Sequence, residues 1–271
     1  MMLRKILPMI TLNLIRVLLL LPPFTSACFA TTHCNNPAPG GGTFSSSAKQ
    51  HQHQLEQKQR RLLANTQTAI NGIPFSTRAY WMRQANLALD HPCPFAAFGT
   101  VIVNHTRQMG EEGGGLGELV CTGRNVGRAS GNPVMHGEIA AITNCSHILT
   151  SPSGPYRLSP SQAIAAFADL TLYTNAESCP MCASAIRWAG FREYVYGTSI
   201  DDLVEKGWRQ ISISSAEVFE RSGDLPGKPT EMIGEALTNE TSGFFEWQFD
   251  DEAECPRGCQ REENGGCKPE V

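Results

Sequence analysis

Residues 170–188 read LTLYTNAESCPMCASAIRW, and this stretch decides the fold. Its first five residues combine leucine with threonine and tyrosine, which favour extended structure, so they predict a strand at 170–174. A helix is predicted from Cys179 to Trp188, and Ala189-Gly190 is the predicted stop signal. A strand that leads directly into a helix is typical of an α/β fold.

The same signals, read outward from this stretch, predict elements on both sides. The predicted order is helix, strand, strand, helix, strand, helix, strand. Helices are expected from residue 76 or 77 to 89 and over 135–149 and 179–188, and strands over 99–103, 118–122, 170–174 and 193–197. Weaker helices are expected over 162–168, 201–208 and 214–221. The alternation indicates an α/β sandwich that is layered around a mixed sheet.

The ends of the chain differ in composition from this central part. A basic start, an apolar run and small residues predict a signal peptide over 1–30 and therefore entry into the secretory pathway, with no membrane anchor after cleavage. A Gly-, Ser-, Gln- and His-rich stretch predicts a disordered linker over 31–73. The folded domain is expected over 74–222, and a C-terminal extension with a cysteine-containing tail over 223–271. The aromatic residues Phe244, Phe245, Trp247 and Phe249 are expected to dock this extension on the body, and the last twenty residues are expected to lie outside the core.

Composition limits the classes of partner and suggests a compartment. The formal net charge of −4 argues against a large contact with nucleic acid, which usually requires a basic face. Ten cysteines and three N-x-S/T sequons, at Asn104, Asn144 and Asn239, fit a secreted glycoprotein with disulfides. We expect Cys255, Cys259 and Cys267 to join disulfides, with Cys34 or Cys93 as partners. Cys121 and Cys145 fall on regular elements and are expected to be buried thiols.

Two short segments carry residues that can bind a metal and move protons. They are His136-Gly-Glu138, at a predicted helix start, and Cys179-Pro-Met-Cys182. One imidazole and two thiolates form a suitable ligand set for zinc, and three protein ligands leave a fourth position open. The predicted zinc ligands are therefore His136, Cys179 and Cys182. Glu138 is expected to lie beside the open position as a general acid and base, without binding the metal.

An H-x-E segment followed by P-C-x-x-C or a similar run is the pattern of zinc nucleobase deaminases. The stretch from Ser76 to Thr198 resembles the cytidine/deoxycytidylate deaminase superfamily. HGEIAAITNCS resembles the metal helix of fungal cytosine deaminases, whereas LYTNAESCPMCASAI resembles guanine deaminases and tRNA adenosine deaminases. Ser178 stands where this family usually has proline, and the segment PFAAFG at 94–99 is longer than the family's PFG.

The resemblance implies a three-layer α/β/α cytidine-deaminase-like sandwich and hydrolysis of an amino group on a nucleobase or nucleoside, with release of ammonia. It implies that Glu138 is the proton shuttle and that Asn125 and Phe98 contact the substrate, the former by a hydrogen bond and the latter by stacking. It also implies a homodimer or a larger assembly. The identity of the base stays open, and a tRNA adenosine deaminase is the second reading.

Two alternatives come from other classes of protein. A strand followed by C-x-x-C at a helix start also occurs in thioredoxin-like redox proteins, in which Cys179 and Cys182 would form a disulfide. The second alternative is a module that binds zinc but has no activity. Neither alternative explains why Glu138 follows His136 so closely. We interpret Glu177 as a structural residue and Trp188 as part of the core.

Overall fold

A mixed sheet of five strands lies at the centre of the described residues, which are 69–106 and 115–270 of a computed structural model. The strands are β1 Gly99–Asn104, β2 Glu118–Arg124, β3 Leu170–Ala176, β4 Glu193–Thr198 and β5 Glu231–Ile233. Their order across the sheet is β2-β1-β3-β4-β5. Strand β1 runs antiparallel to β2 and to β3, whereas β3, β4 and β5 are parallel.

Helices connect the strands and cover the sheet. They are α1 Phe75–Leu87, α2 Gly127–Ser130, α3 Gly137–Thr150, α4 Pro160–Ala166, α5 Pro180–Ala189, α6 Ile200–Glu205, α7 Ser215–Arg221 and α8 Thr238–Thr241. A separate hairpin near the C-terminus consists of β6 Cys259–Arg261 and β7 Cys267–Pro269. Among the described residues, no helix is long and apolar enough to cross a membrane.

Alternation along β1 explains why helices cover both faces of the sheet. Val101 and Val103 pack in one apolar cluster with α1, whereas Ile102 packs in a second cluster with α3, α4 and α5. All three side chains are at most 1% exposed. Successive side chains of a strand point to opposite faces, so one strand contributes to two cores. The result is the three-layer α/β/α sandwich that the sequence predicted.

The strand directions bring the two predicted metal segments together. Strands β2 and β3 are both antiparallel to β1, so they run in the same direction and end at the same edge of the sheet. His136 immediately precedes α3, which follows β2, and Cys179 immediately precedes α5, which follows β3. Helices that follow such strands begin at that common edge, where open α/β sheets place their ligands.

The sheet extends past the boundary predicted at residue 222. Strand β5 pairs with β4, and Phe245, further along, is fully buried. The burial of Phe245 agrees with the prediction that the aromatic cluster docks the extension on the body, whereas strand β5 was not predicted. A strand of three residues is too short to show an alternating pattern, and only its pairing with β4 identifies it.

Three disulfides join described cysteines. Cys93 pairs with Cys259 and Cys255 pairs with Cys267, which confirms that the tail cysteines form disulfides and that Cys93 is one of the partners. The third disulfide joins Cys121 on β2 to Cys145 on α3, so the prediction of two buried thiols was wrong. Their burial was predicted correctly, but the packing of α3 on β2 that brings them together is a tertiary feature.

Two smaller predictions also need correction. Trp188 is not in the core, since it is 71% exposed on α5. The predicted linker 31–73 ends earlier than expected, because Ile73 is buried and bridges Ile70. The signal peptide over 1–30 and most of the linker lie outside the described residues.

Candidate metal centre and pocket

The structure brings the three predicted ligands into one cluster. His136 Nδ1 lies 3.6 Å from Cys179 Sγ and 3.7 Å from Cys182 Sγ. The three potential ligand atoms lie within 4.8 Å of one another. Zinc bonds of about 2.0 Å to nitrogen and 2.3 Å to sulfur at a tetrahedral angle place those atoms about 3.6 Å apart. The imidazole and the two thiols therefore fit a tetrahedral zinc ion in both donor type and spacing.

Local backbone structure places each ligand at a helix start. His136 is the N-terminal cap of α3 and Cys179 is the N-terminal cap of α5, both with extended backbone angles. Pro180 occupies the first turn of α5, where its missing N–H costs nothing. Helix N-termini carry partial positive charge, which stabilises thiolates at this site.

The thiols and the imidazole influence one another's protonation. The hydrogen bond from Cys182 is the main cause that lowers the pKa of Cys179 to about 4, and the hydrogen bond with His136 acts in the same direction. The hydrogen bond with Cys179, followed by burial, raises the pKa of Cys182. The pKa of His136 is raised mainly by its hydrogen bond with Cys179. One thiolate is thus present at neutral pH, and metal binding would displace the other protons.

Glu138 lies next to this cluster in a buried position. It belongs to the first turn of α3, is 5% exposed and lines the same pocket as His136 and Cys179. Burial is the main cause that raises its pKa. A carboxyl group whose pKa is raised towards the working pH is suited to both accepting and releasing a proton.

Gly137 sits between the ligand and the carboxylate for a steric reason. A Cβ atom on Gly137 would lie 2.8 Å from the carbonyl oxygen of Phe98 and 3.1 Å from Thr100 Oγ1. The backbone of α3 therefore contacts the start of β1 closely at this residue.

Glu177 anchors the loop that precedes the thiols. Its Oε2 accepts a hydrogen bond from Ile200 N at 2.9 Å, and its Oε1 accepts from Ser215 N at 2.8 Å and Ser215 Oγ at 2.6 Å. These partners are the first residues of α6 and α7. The carboxylate thus ties two helix starts to the metal loop, which confirms the interpretation of Glu177 as a structural residue.

The backbone of Ser178 is also fixed. Its N–H donates a hydrogen bond of 2.7 Å to Tyr194 Oη, and both residues are fully buried. Where the family usually has proline, this chain uses a side chain of β4 to hold the loop.

A pocket with a volume of about 530 Å³ opens above the candidate metal centre. Its wall is aromatic, because Trp208 packs against Phe95 at 5.7 Å and against Phe98 at 5.2 Å between ring centroids. Phe95 is 44% exposed and lines the pocket. A volume of this size is in the range of clefts that bury a small organic ligand.

Both predicted substrate residues line this pocket. Asn125 follows β2 directly, and its Oδ1 accepts a hydrogen bond from Gly127 N at 3.1 Å. Phe98 also packs against Phe245, with 5.0 Å between centroids, and supports the wall. Their contact with a substrate stays a prediction.

Sequence reasoning missed several other pocket residues, among them Phe95, Arg128, Trp208 and Arg209. Phe95 lies in the quoted PFAAFG segment, three residues before the phenylalanine that the resemblance singled out. The two arginines and the tryptophan belong to no recognised motif, and only the fold brings them to the pocket.

The redox alternative has a structural counterargument. Cys179 and Cys182 are free thiols, whereas the other described cysteines all form disulfides. Their sulfur atoms both point to His136, which a C-x-x-C disulfide does not require. The arrangement favours a metal centre over a redox pair.

Comparisons with known proteins agree with this geometry. Residues 76–198 match the family model of the cytidine and deoxycytidylate deaminase zinc-binding region. A guanine deaminase of Bacillus subtilis (strain 168) is 32% identical over 111 residues, which cover 41% of this chain and 56% of that protein. A probable cytosine deaminase of Schizosaccharomyces pombe is 34% identical over 83 residues, which cover 28% and 50%. The chain thus spans about half the length of the curated relatives it matches.

A solved structure of a guanine deaminase from Nitrosomonas europaea also aligns with this chain. The alignment has 18% identity and a TM-score of 0.39, and it covers 64% of this chain and 82% of that one.

Proposed function

We propose that the chain is a zinc-dependent hydrolase that removes an amino group from a nucleobase or nucleoside and releases ammonia, because its residues 76–198 match the family model of the cytidine and deoxycytidylate deaminase zinc-binding region. One observation carries the proposal. His136 and Cys179, two members of the cluster with Cys182, line the same pocket as the buried carboxyl group of Glu138. A three-ligand zinc site with an adjacent acid–base group is the arrangement of a hydrolytic centre.

Each of these residues has a role in the proposed reaction. A zinc ion held by His136, Cys179 and Cys182 would supply a Lewis acid that lowers the pKa of water towards about 7. Glu138 accepts a proton from the attacking water and delivers it to the ring nitrogen. It then passes the second proton to the leaving amine. A carbon–oxygen bond forms, the carbon–nitrogen bond breaks, and the products are a ring carbonyl and ammonia.

The other pocket residues would hold the ring in place for this chemistry. Phe95, Phe98 and Trp208 provide an aromatic wall for a flat heterocycle. Asn125 offers amide N–H groups to a ring or sugar oxygen. One relative is named for a purine base and the other for a pyrimidine base, so either ring is a candidate.

The test combines metal content with ammonia release. Purified wild-type protein should contain about one zinc ion per chain and release ammonia from one member of a panel of cytosine, cytidine, guanine, guanosine, adenine, adenosine and tRNA. Glu138→Gln should keep the zinc and lose about 10²-fold or more of the turnover. Glu217→Gln, on the exposed side of α7, is the matched control and should behave as wild type.

Four results would contradict the proposal in different ways. Wild-type turnover in Glu138→Gln would remove Glu138 from the mechanism. Zinc without ammonia from any substrate would favour an inactive zinc-bound module. Absence of zinc together with a disulfide between Cys179 and Cys182 would favour a redox protein. Ammonia from tRNA alone would replace the small-molecule substrate with tRNA adenosine.

We also propose that the protein folds in the secretory pathway. Three disulfides among the described residues support this, because such bonds persist in oxidising compartments. Sequencing the N-terminus of secreted protein would test whether cleavage occurs near residue 30. A protein that keeps its full N-terminus and resides in a reducing compartment would contradict this proposal. The homodimer stays a prediction that sedimentation can test.

A further inference from the structure

The asparagines of the three N-x-S/T sequons lie in very different surroundings. The sequons are Asn104-His-Thr, Asn144-Cys-Ser and Asn239-Glu-Thr. An N-linked glycan is bulky and hydrophilic, so the asparagine that bears it must lie where the sugar can extend into solvent after folding. The surroundings of each amide nitrogen therefore decide which sequon the folded protein can carry in a modified form.

A glycan on Asn144 would disturb the packing of α3 on β2. Asn144 is half-buried on α3, and its Nδ2 donates a hydrogen bond of 2.9 Å to the carbonyl oxygen of Thr122 on β2. The next residue, Cys145, is bonded to Cys121 on the same strand. The nitrogen that would bear the sugar thus points at the sheet, and a glycan there would separate the helix from the strand.

Asn104 is more restricted than an asparagine on the open surface. It is the last residue of β1, it is half-buried, and it pairs with Glu118 on one side and Leu170 on the other. Its Oδ1 accepts hydrogen bonds from Thr106 N at 2.9 Å and from Thr106 Oγ1 at 2.7 Å. A glycan on Asn104 would have to leave the sheet from between two paired strands.

Asn239 has none of these restrictions. It is exposed on α8, and among the described residues its side chain has no hydrogen-bond partner. The helix itself is fixed to the end of β4, because Thr238 Oγ1 donates to Gly197 O at 3.3 Å and Thr241 Oγ1 lies 2.9 Å from Thr198 Oγ1. A sugar on Asn239 would extend into solvent without the loss of an internal hydrogen bond.

We infer that Asn239 is the acceptor of an N-linked glycan and that Asn144 stays unmodified. The inference rests on the proposed passage through the secretory pathway, and the proposed catalysis does not use this site. In the transfer, the amide nitrogen of Asn239 loses a proton and forms a bond to the anomeric carbon of an oligosaccharide. The bond between that carbon and a lipid diphosphate carrier breaks, and the released lipid diphosphate takes up the proton.

The burial of Thr241 sets the order of glycosylation and folding. The sequon is defined by the hydroxyl group of its third residue, which here is Thr241. Thr241 and its hydrogen-bond partner Thr198 are both 0% exposed in the folded protein, so a transferase cannot contact this hydroxyl. The glycan must therefore be attached before α8 packs against β4.

The test is mass spectrometry of each sequon peptide from the full chain, secreted by eukaryotic cells. Peptide N-glycosidase in heavy-oxygen water converts a glycosylated asparagine to a labelled aspartate, whereas an unmodified asparagine stays as it is. Asn239 should be converted in most molecules, and Asn144 should stay asparagine. Asn239→Gln should abolish the modification of this sequon and leave the melting temperature close to that of the deglycosylated wild type, because the side chain is exposed.

Two controls separate the sequon from the fold. Thr241→Ser keeps the hydroxyl group, so it should keep the glycan on Asn239. Folded protein from cells in which the synthesis of lipid-linked sugar is blocked should accept no glycan from microsomal membranes, whereas its reduced and unfolded form should accept one. Equal transfer to both forms would overturn the assigned order of glycosylation and folding.

The outcomes separate this inference from the other proposals. The full chain is also expressed behind the signal peptide of a known secreted protein, so that entry does not depend on residues 1–30. Unmodified Asn239 in that secreted protein would overturn the inference, and so would a glycan on Asn144. A glycan on Asn239 only with the added signal peptide would keep the acceptor site and overturn the secretory passage of the native chain. Glycosylated protein without ammonia release would overturn the deaminase and keep the acceptor site.

Discussion

Replacing Glu177 by glutamine should destabilise the protein without a direct effect on the proposed chemistry. The carboxylate accepts three hydrogen bonds, from Ile200 N, Ser215 N and Ser215 Oγ, and all three residues are at most 8% exposed. In Glu177→Gln one oxygen becomes an NH₂ group, so a buried N–H at one helix start faces another donor. At least one charge-assisted hydrogen bond is lost and one donor is left unpaired.

These losses set the expected magnitude. A hydrogen bond to a charged group contributes about 1.5–3 kcal/mol, and an unsatisfied buried donor costs about 1–3 kcal/mol. Some relaxation of the loop will offset part of the sum, so the free energy of unfolding should fall by about 2–5 kcal/mol. For a domain of this size each kcal/mol lowers the melting temperature by roughly 2–4 °C.

The assay is urea or thermal unfolding with the disulfides intact, together with ammonia release measured below the transition. Glu217→Gln is the control, because that carboxylate lies on the exposed side of α7 and pairs only with Arg221, which is 77% exposed. It should change stability by less than about 0.5 kcal/mol. A loss of turnover in Glu177→Gln with unchanged stability would refute the structural role and make Glu177 a catalytic residue.

Two further predictions concern the thiols and the core. In zinc-free protein, iodoacetamide should modify Cys179 before Cys182, because the pKa of Cys179 is lowered to about 4 and that of Cys182 is raised. The thiolate of Cys179 is present above that pKa, so peptide mass spectrometry should show a rate that is constant from pH 5 to 8 and falls below pH 4, whereas a rate that keeps rising to pH 9 would contradict the assignment. Gly123→Ala should cost about 1–3 kcal/mol in urea unfolding, because its Cβ would overlap Ala141 N on α3. Gly243→Ala, with open space around its Cα, is the control, and equal stability of the two variants would count against a close packing of β2 and α3.

The metal cluster was predictable because each half of it is local in sequence. Cys179 and Cys182 occupy the start of one helix, and His136 and Glu138 occupy the start of another. Residue type, spacing and helix signals all appear within six residues in each case. The strand directions that bring the halves together follow from the α/β alternation, which periodicity also reveals.

Features that depend on distant parts of the chain were not predictable in the same way. Strand β5 has three residues and is recognisable only beside β4. The Cys121–Cys145 disulfide requires that α3 pack on β2, and the spacing of 24 residues does not imply it. Trp188 has an apolar side chain on an amphipathic helix, but its position on α5 points away from the sheet. In each case tertiary packing, and not local propensity, decides the outcome.

The pocket shows why the family match says more about the candidate metal centre than about the substrate. The match ends at residue 198, but Trp208 forms part of the aromatic wall. The other side of that wall, Phe95, is held by the C-terminal extension, since Gln248 Nε2 donates to Phe95 O and Phe249 packs on the Phe95 ring. Cys93, two residues before Phe95, is bonded to Cys259 in the tail.

The tail is therefore part of the structure that shapes the pocket, and it lies beyond the segment shared with the family. The proposed zinc ligands lie inside the matched segment, whereas Trp208 and Arg209 of the pocket lie after it. The curated relatives are aligned over about half of their own length, so their names do not identify the substrate of this chain. Substrate choice has to be tested through Phe95, Trp208 and the pocket arginines Arg128 and Arg209, because these residues line the pocket beside the candidate metal centre.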